Sequence, residues 1–183
     1  KGLEMLAKIK AKYQIPITTD IHEAFQAEIA AEVVDILQIP AFLCRQTDLL
    51  IKSGETGKIV NIKKAQFLTG RDMVYPANKV ESTGNKQIML TERGTSFGNN
   101  NLVVDFRNII DMQEMGYPVV MDVTHSVQKP SASNGTTGGN REYIPYFSKA
   151  AAAMGVKGFF METHPNPDKA LSDGPNMVEL ENM

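Results

Sequence analysis

Residues 15–39, IPITTDIHEAFQAEIAAEVVDILQI, decide the reading of the fold. Two short apolar runs rich in Ile, Val and Thr, at 15–21 and 34–39, flank a helix-patterned stretch at 23–33. Strand, helix and strand in so short a span predict a crossover unit, because parallel strands cannot be joined by a tight turn and need a helix to bring the chain back. Outward from this unit the rhythm repeats. Strand-type runs are predicted at 58–63, 87–91, 118–123 and 156–161, and helical patterns at 3–13, 47–53, 102–115 and 141–154. Residues 70–81 are polar and irregular and read as helix only in outline. Strict alternation of this kind predicts an α/β fold with a parallel sheet under helices.

An open doubly wound sheet and a closed barrel share that signature, and the position of the polar residues separates them. Each strand run ends in polar or ionisable groups: Asp20 and His22, Gln38, Lys63 and Gln66, Glu92 and Arg93, Asp122 and His125, Glu162 and His164. In a barrel all carboxyl strand ends converge on one mouth, where the βα loops build the active site, whereas an open sheet gathers only those near its switch point. The expectation is a (β/α)8 TIM barrel. Six strand runs in 183 residues fall short of the eight strands and about 250 residues usual for that fold. Residues 1–183 are therefore read as a single, partial barrel domain with two βα units missing on the N-terminal side. The chain opens on Lys1, inside a helix already under way, in keeping with that expectation.

Composition narrows the function. A net charge of −2 gives no global attraction to nucleic acid or to an anionic membrane, so any anion site must be built from particular lysines and arginines. No apolar run reaches the roughly 18 residues of a membrane span, and KGLEMLAKIKAKY is charged and helix-patterned, unlike a signal peptide. A cytoplasmic protein is expected. The single cysteine, Cys44, rules out an internal disulfide and reads as a small buried hydrophobe. Neither GxGxxG after the first strand nor GxxxxGK[ST] occurs, so nucleotide binding and an organic cofactor are not supported.

Several residues at strand ends have chemistry to offer. Lys63 and Arg93 would together form a pocket for phosphate and carboxylate, the guanidinium through paired hydrogen bonds and the ammonium as a point charge. The ordinary alternative is a solvated charge or an ion pair with Glu92. His125, Glu162 and Asp173 are of the types that bind a divalent cation or act as general acid and base, although their wide spacing in sequence does not by itself define a metal site. Gln38 can donate to an anion or be a satisfied buried amide. Arg45 stands at a helix start, where the dipole disfavours a cation, which suggests an anionic partner or plain exposure. Asp20 suits either substrate hydroxyls or a helix cap. Phe42, Phe67 and Phe97 are expected to pack, and the low-complexity stretch 131–140, SASNGTTGGN, reads as a loop able to act as a lid.

In order and spacing, the segments TDIHE (19–23), LQIPAFLCRQTDLL (37–50), NIKKAQF (61–67), TERGTSFGNNNLVVDFR (91–107), DVTHSVQKP (122–130), GGNRE (138–142) and FMETHPNPDKALSDGPN (160–176) resemble the 3-deoxy-D-manno-octulosonate 8-phosphate synthases over essentially the whole chain. The resemblance implies a tetrameric (β/α)8 barrel in lipopolysaccharide sugar synthesis that joins C3 of phosphoenolpyruvate to the aldehyde of arabinose 5-phosphate while water adds at C2 and phosphate leaves. It implies that Lys63, Gln38 and Arg93 hold phosphoenolpyruvate, that Asp20 meets the sugar hydroxyls, and that Gln66 is among the substrate-binding residues. Arg45 would reach the sugar phosphate of a neighbouring subunit. His125, Glu162 and Asp173 match the ligands of zinc, iron or manganese in the metal-dependent class, and Lys63, His125 and Asp173 become the catalytic candidates. Ser172 and the GGNRE turn are similar to that class. The family's N-terminal strand, a lysine on its second strand, the Asn-Arg-Ser/Thr element and the metal-binding cysteine have no counterpart here, and Cys44 is not that cysteine. Two rival readings are a heptulosonate synthase using erythrose 4-phosphate, which shares the ERG and DxxH elements, and a barrel that survives as a non-catalytic scaffold.

Overall fold

In the computed structural model, which describes residues 1–133 and 136–183, the chain packs as two compact units. The first comprises residues 1–65 and 72–90, and the second residues 66–71 and 91–183. All six predicted strands are present, five of them shorter than their apolar runs and the fourth shifted by one residue: β1 (Thr18–Asp20), β2 (Ile36–Ile39), β3 (Ile59–Lys63), β4 (Ile88–Glu92), β5 (Val119–Asp122) and β6 (Gly158–Phe160). Between them run α1 (Gly2–Tyr13), α2 (Gln26–Ala31), α3 (Thr47–Glu55), α4 (Val74–Glu81), α5 (Arg107–Glu114) and α6 (Ile144–Ala153).

Within the first unit the strands lie in chain order, β1-β2-β3-β4, and β1 with β2 and β2 with β3 are parallel. A doubly wound sheet reverses its order at a switch point, and these four strands show none. Leu37 pairs with Val60 and Ile39 with Ile62, so four fully buried aliphatic side chains share one face. Ile36, Gln38, Asn61 and Lys63 therefore occupy the other. In the second unit β5 and β6 are parallel with Phe160 opposite Asp122, and β4 enters this unit with Thr91 and Glu92.

α1 buries none of its residues completely, and a polar anchor holds it. Lys10 Nζ donates to the Val33 carbonyl at 3.0 Å and to Asp35 Oδ1 at 2.7 Å, while Asp35 Oδ2 accepts the Ile17 N–H at 2.9 Å. The hydrogen bond from Lys10, then that from Ile17, holds the Asp35 carboxyl below its usual range. A lowered carboxyl pKa stabilises the fold above the unfolded value near 4, and the contribution fades as pH falls through the folded value. Asp35→Asn is expected to cost about 0.5–1 kcal/mol at pH 7, because the pair is partly exposed. Chemical denaturation at a series of pH values should show the gap from wild type closing below about pH 4.

Several expectations are corrected. The helix predicted at 102–115 begins only at Arg107, because Leu102–Val103 pairs antiparallel with Thr95–Ser96. The connecting residues supply the turn: Gly98 (φ 70°) and Asn100 (φ 54°) take left-handed backbone that Gly and Asn accept most readily. Where a loop was expected at 131–140, Gln128–Ser133 pairs with Thr136–Gly139, and Asn134 and Gly135 lie outside the described residues. Residues 70–81 form a 3-10 turn, Arg71–Met73, followed by α4. Phe42, Phe67 and Phe97 do not pack; each is more than 60% exposed. Cys44 is fully buried as expected, and burial pushes its thiol pKa up, away from nucleophile chemistry.

Candidate functional site: a polar strand row and a histidine–carboxylate cluster

Three strands of the first unit place polar side chains in one row. Asp20, Gln38 and Asn61 are register partners, so they leave the same sheet face at the same level. Gln38 Nε2 donates to Asp20 Oδ1, and Asn61 Nδ2 donates to Gln38 Oε1 at 2.9 Å. With its carbonyl oxygen taken by Asn61, the Gln38 amide is left with an N–H to offer, which suits an anion. Lys63 follows Asn61 by two residues on the same face and is buried. Asp20 does not cap a helix, since α2 starts at Gln26. Arg45 is exposed just ahead of α3, with its carbonyl accepting from Lys79 Nζ at 2.8 Å.

In the second unit β5 ends in Asp122, and this carboxylate shapes the turn that follows. Its Oδ1 accepts the N–H groups of Thr124 (3.2 Å) and His125 (2.9 Å) and the Thr124 hydroxyl (3.1 Å). Its Oδ2 lies 2.7 Å from His125 Nδ1. That contact orients the imidazole so that Nε2 points at Glu162 Oε1, 3.2 Å away. Asp173 completes the group: one ligand atom each from His125, Glu162 and Asp173 lie within 4.8 Å of one another.

Arg93 belongs to the same unit and is 5% exposed. Its Nη2 donates to Gln128 Oε1 at 3.0 Å, and Gln128 Nε2 donates to Asp173 Oδ1 at 2.8 Å. Arg93 Nη1 is buried with no hydrogen-bond partner among the described residues. Burial pushes the guanidinium pKa down, and the charges of Asp122, Glu92 and Asp173 push it back up. Glu92 Oε1 accepts the N–H groups of Arg93 (3.0 Å) and Gly94 (2.6 Å), fixing the backbone that presents the arginine. Gln66, also buried, accepts the Ser96 N–H through its main-chain carbonyl at 2.9 Å, and its Oε1 has no partner among the described residues.

The donor set fits a divalent cation of the zinc, iron or manganese type. One imidazole nitrogen and two carboxylates converge, and the second imidazole nitrogen is held by an outer carboxylate, as is usual around metal-binding histidines. Asp122→Asn is expected to weaken Mn2+ binding 10–100-fold, measured by equilibrium dialysis. Of the residues singled out in the sequence, Asp20, Gln38 and Lys63 share a face of the first unit, and His125, Glu162 and Asp173 meet in the second. Sequence reasoning gave no role to Asn61, Asp122 or Gln128. Asp122, three residues before His125 at a strand end, carries the spacing that would have marked it; Asn61 and Gln128 carry no such signal.

The first unit is thus an α/β unit of strands in chain order with a polar strand row, and the second carries three residues whose ligand atoms could hold a divalent cation. A model of the DAHP synthetase I family matches residues 1–183, and the chain belongs to that family. It is similar to proteins named 2-dehydro-3-deoxyphosphooctonate aldolase: 56% identical to that of Cyanothece sp. over 98% of this chain, 57% to that of Francisella tularensis over 98%, and 55% to that of Granulibacter bethesdensis over 100%. The chain spans 65–66% of the length of these relatives. No helix among the described residues is long and apolar enough to cross a membrane.

Proposed function

We propose that the protein of which this chain is part condenses phosphoenolpyruvate with D-arabinose 5-phosphate and water to give 3-deoxy-D-manno-octulosonate 8-phosphate and inorganic phosphate. The observation that carries the reading is identity of 55–57% to relatives named for this product, over nearly every residue here. The convergence of His125, Glu162 and Asp173 supports the metal-dependent form of the reaction. The complete fold is then a (β/α)8 barrel, and the working protein a cytoplasmic homotetramer.

The residues divide the work by charge. Arg93 and Lys63, both nearly out of water, bind the carboxylate and phosphate of phosphoenolpyruvate and stabilise the charge that moves onto the leaving phosphate. Gln38 and Gln66 add neutral polar contacts, Asp20 accepts from sugar hydroxyls, and Arg45 answers the sugar phosphate of a neighbouring subunit. His125, Glu162 and Asp173 would hold the divalent ion, which supplies Lewis acidity when bound. Asp173, a carboxylate held at one oxygen by Gln128, accepts the proton of the water that adds at C2.

Phosphate release from phosphoenolpyruvate, measured with arabinose 5-phosphate and with erythrose 4-phosphate in the natural full-length protein, tests the assignment. Strong preference for the pentose phosphate is expected. Preference for erythrose 4-phosphate would make it a heptulosonate synthase, and release with neither would favour the scaffold.

A further inference from the structure

We propose that Gln128 is a positioning residue, a neutral spacer that keeps Arg93 and Asp173 from closing on each other as an ion pair and so leaves the cation free for substrate and the carboxylate free for the metal. Its two amide ends are committed: Oε1 accepts from Arg93 Nη2 at 3.0 Å and Nε2 donates to Asp173 Oδ1 at 2.8 Å. Only this orientation works, because the flipped amide would set its N–H2 against a guanidinium and its oxygen against a carboxylate. Arg93 is buried, and the negative charge of Asp173 acts on it across the carboxamide, so the two attract. Without the carboxamide between them, Arg93 would turn its unpartnered Nη1 toward Asp173, and Asp173 would be drawn off His125 and Glu162.

The surrounding backbone is built to hold the spacer still. Gln128 opens its hairpin opposite Gly139. A Cβ on Gly139 would lie 2.7 Å from Asn176 Cβ, so glycine there lets the hairpin press against the turn that follows Asp173. The Asn176 N–H donates to the Asp173 carbonyl at 3.0 Å, and Arg141 Nη2 ties the same turn through the Gly174 carbonyl at 3.0 Å. Asp173 itself sits in left-handed backbone (φ 54°), a conformation that such surrounding contacts must maintain.

The inference rests on the proposed reaction for its kinetic arm only. In the natural full-length protein, Gln128→Met keeps the side chain's length and removes both hydrogen bonds, and Gln128→Ala removes its bulk as well. Both are expected to raise the Kd for Mn2+ 10–100-fold by direct titration, as losses around metal ligands do. The KM for phosphoenolpyruvate should rise about tenfold, with Tm within about 2 °C of wild type. Adding Gln128→Met to Arg93→Ala should raise KM no further, since the spacer acts on substrate through that arginine. Wild-type Kd and KM in the methionine variant, with or without a fall in Tm, would overturn the proposal and leave Gln128 a structural residue. If the wild type releases no phosphate with either aldose phosphate, the reaction is wrong and the Mn2+ titration alone decides Gln128. Should the alanine variant fail to fold, the methionine variant carries the comparison.

Discussion

Replacing Arg93 with alanine is expected to lower kcat/KM for phosphoenolpyruvate by a factor on the order of 10²–10³, with the loss in both KM and kcat. The guanidinium is buried, its Nη2 is engaged by Gln128, and its Nη1 has no partner among the described residues. A buried cationic donor left in this state raises the energy of the free protein, and an arriving anion both pairs the donor and relieves that cost. Arg93→Lys keeps a charge but loses the fork that reaches Gln128 and the substrate together, so it should restore only a minor part of the activity. Steady-state kinetics with phosphoenolpyruvate varied would check this, and unchanged constants in the alanine variant would show that the arginine is structural.

The second large effect belongs to His125. Its Nδ1 is held by Asp122 and its Nε2 faces Glu162, so the ring is aimed before any ion arrives. His125→Ala removes the one nitrogen donor of the cluster and leaves Glu162 and Asp173 as two carboxylates. The loss in Mn2+ affinity should exceed the 10–100-fold expected for Asp122→Asn, which disturbs only the ring's support. Equilibrium dialysis across the three proteins should rank wild type, Asp122→Asn and His125→Ala in that order. Equal affinity in all three would place the ion elsewhere.

Much of the fold was legible because its signal is local. Runs such as IVNIK and VVMD are short, apolar and rich in β-branched residues, and they became β3 and β5 nearly end to end. What escaped was governed by turns or by distant neighbours. The apolar LVVD stretch continues the helical pattern of residues 107–114, and only Gly98 and Asn100 reveal that Leu102 and Val103 turn back as a strand. The phenylalanines read as core by hydrophobicity alone, yet burial depends on what lies opposite, and nothing in the chain identifies that.

The site divides in the same way. Strand-end position was enough to find His125, Glu162, Gln38 and Lys63, because a strand's end is set by its own residues. Asn61 and Gln128 act through hydrogen bonds to residues 23 and 45 positions away, respectively, and amides of this kind carry no local mark of such a partner. Asp173 was legible as a residue type, but it stands in an irregular loop, so no strand end marked its place beside His125 and Glu162.

A crystal structure of the full-length protein with Mn2+ and phosphoenolpyruvate, with the ion located by its anomalous signal, tests the central claim most directly. The account predicts the ion on His125 Nε2, Glu162 and Asp173, and an anionic oxygen of the substrate within hydrogen-bond reach of Arg93 Nη1. An ion bound by other residues, with Arg93 Nη1 turned onto a protein carboxylate and away from the substrate, would contradict it.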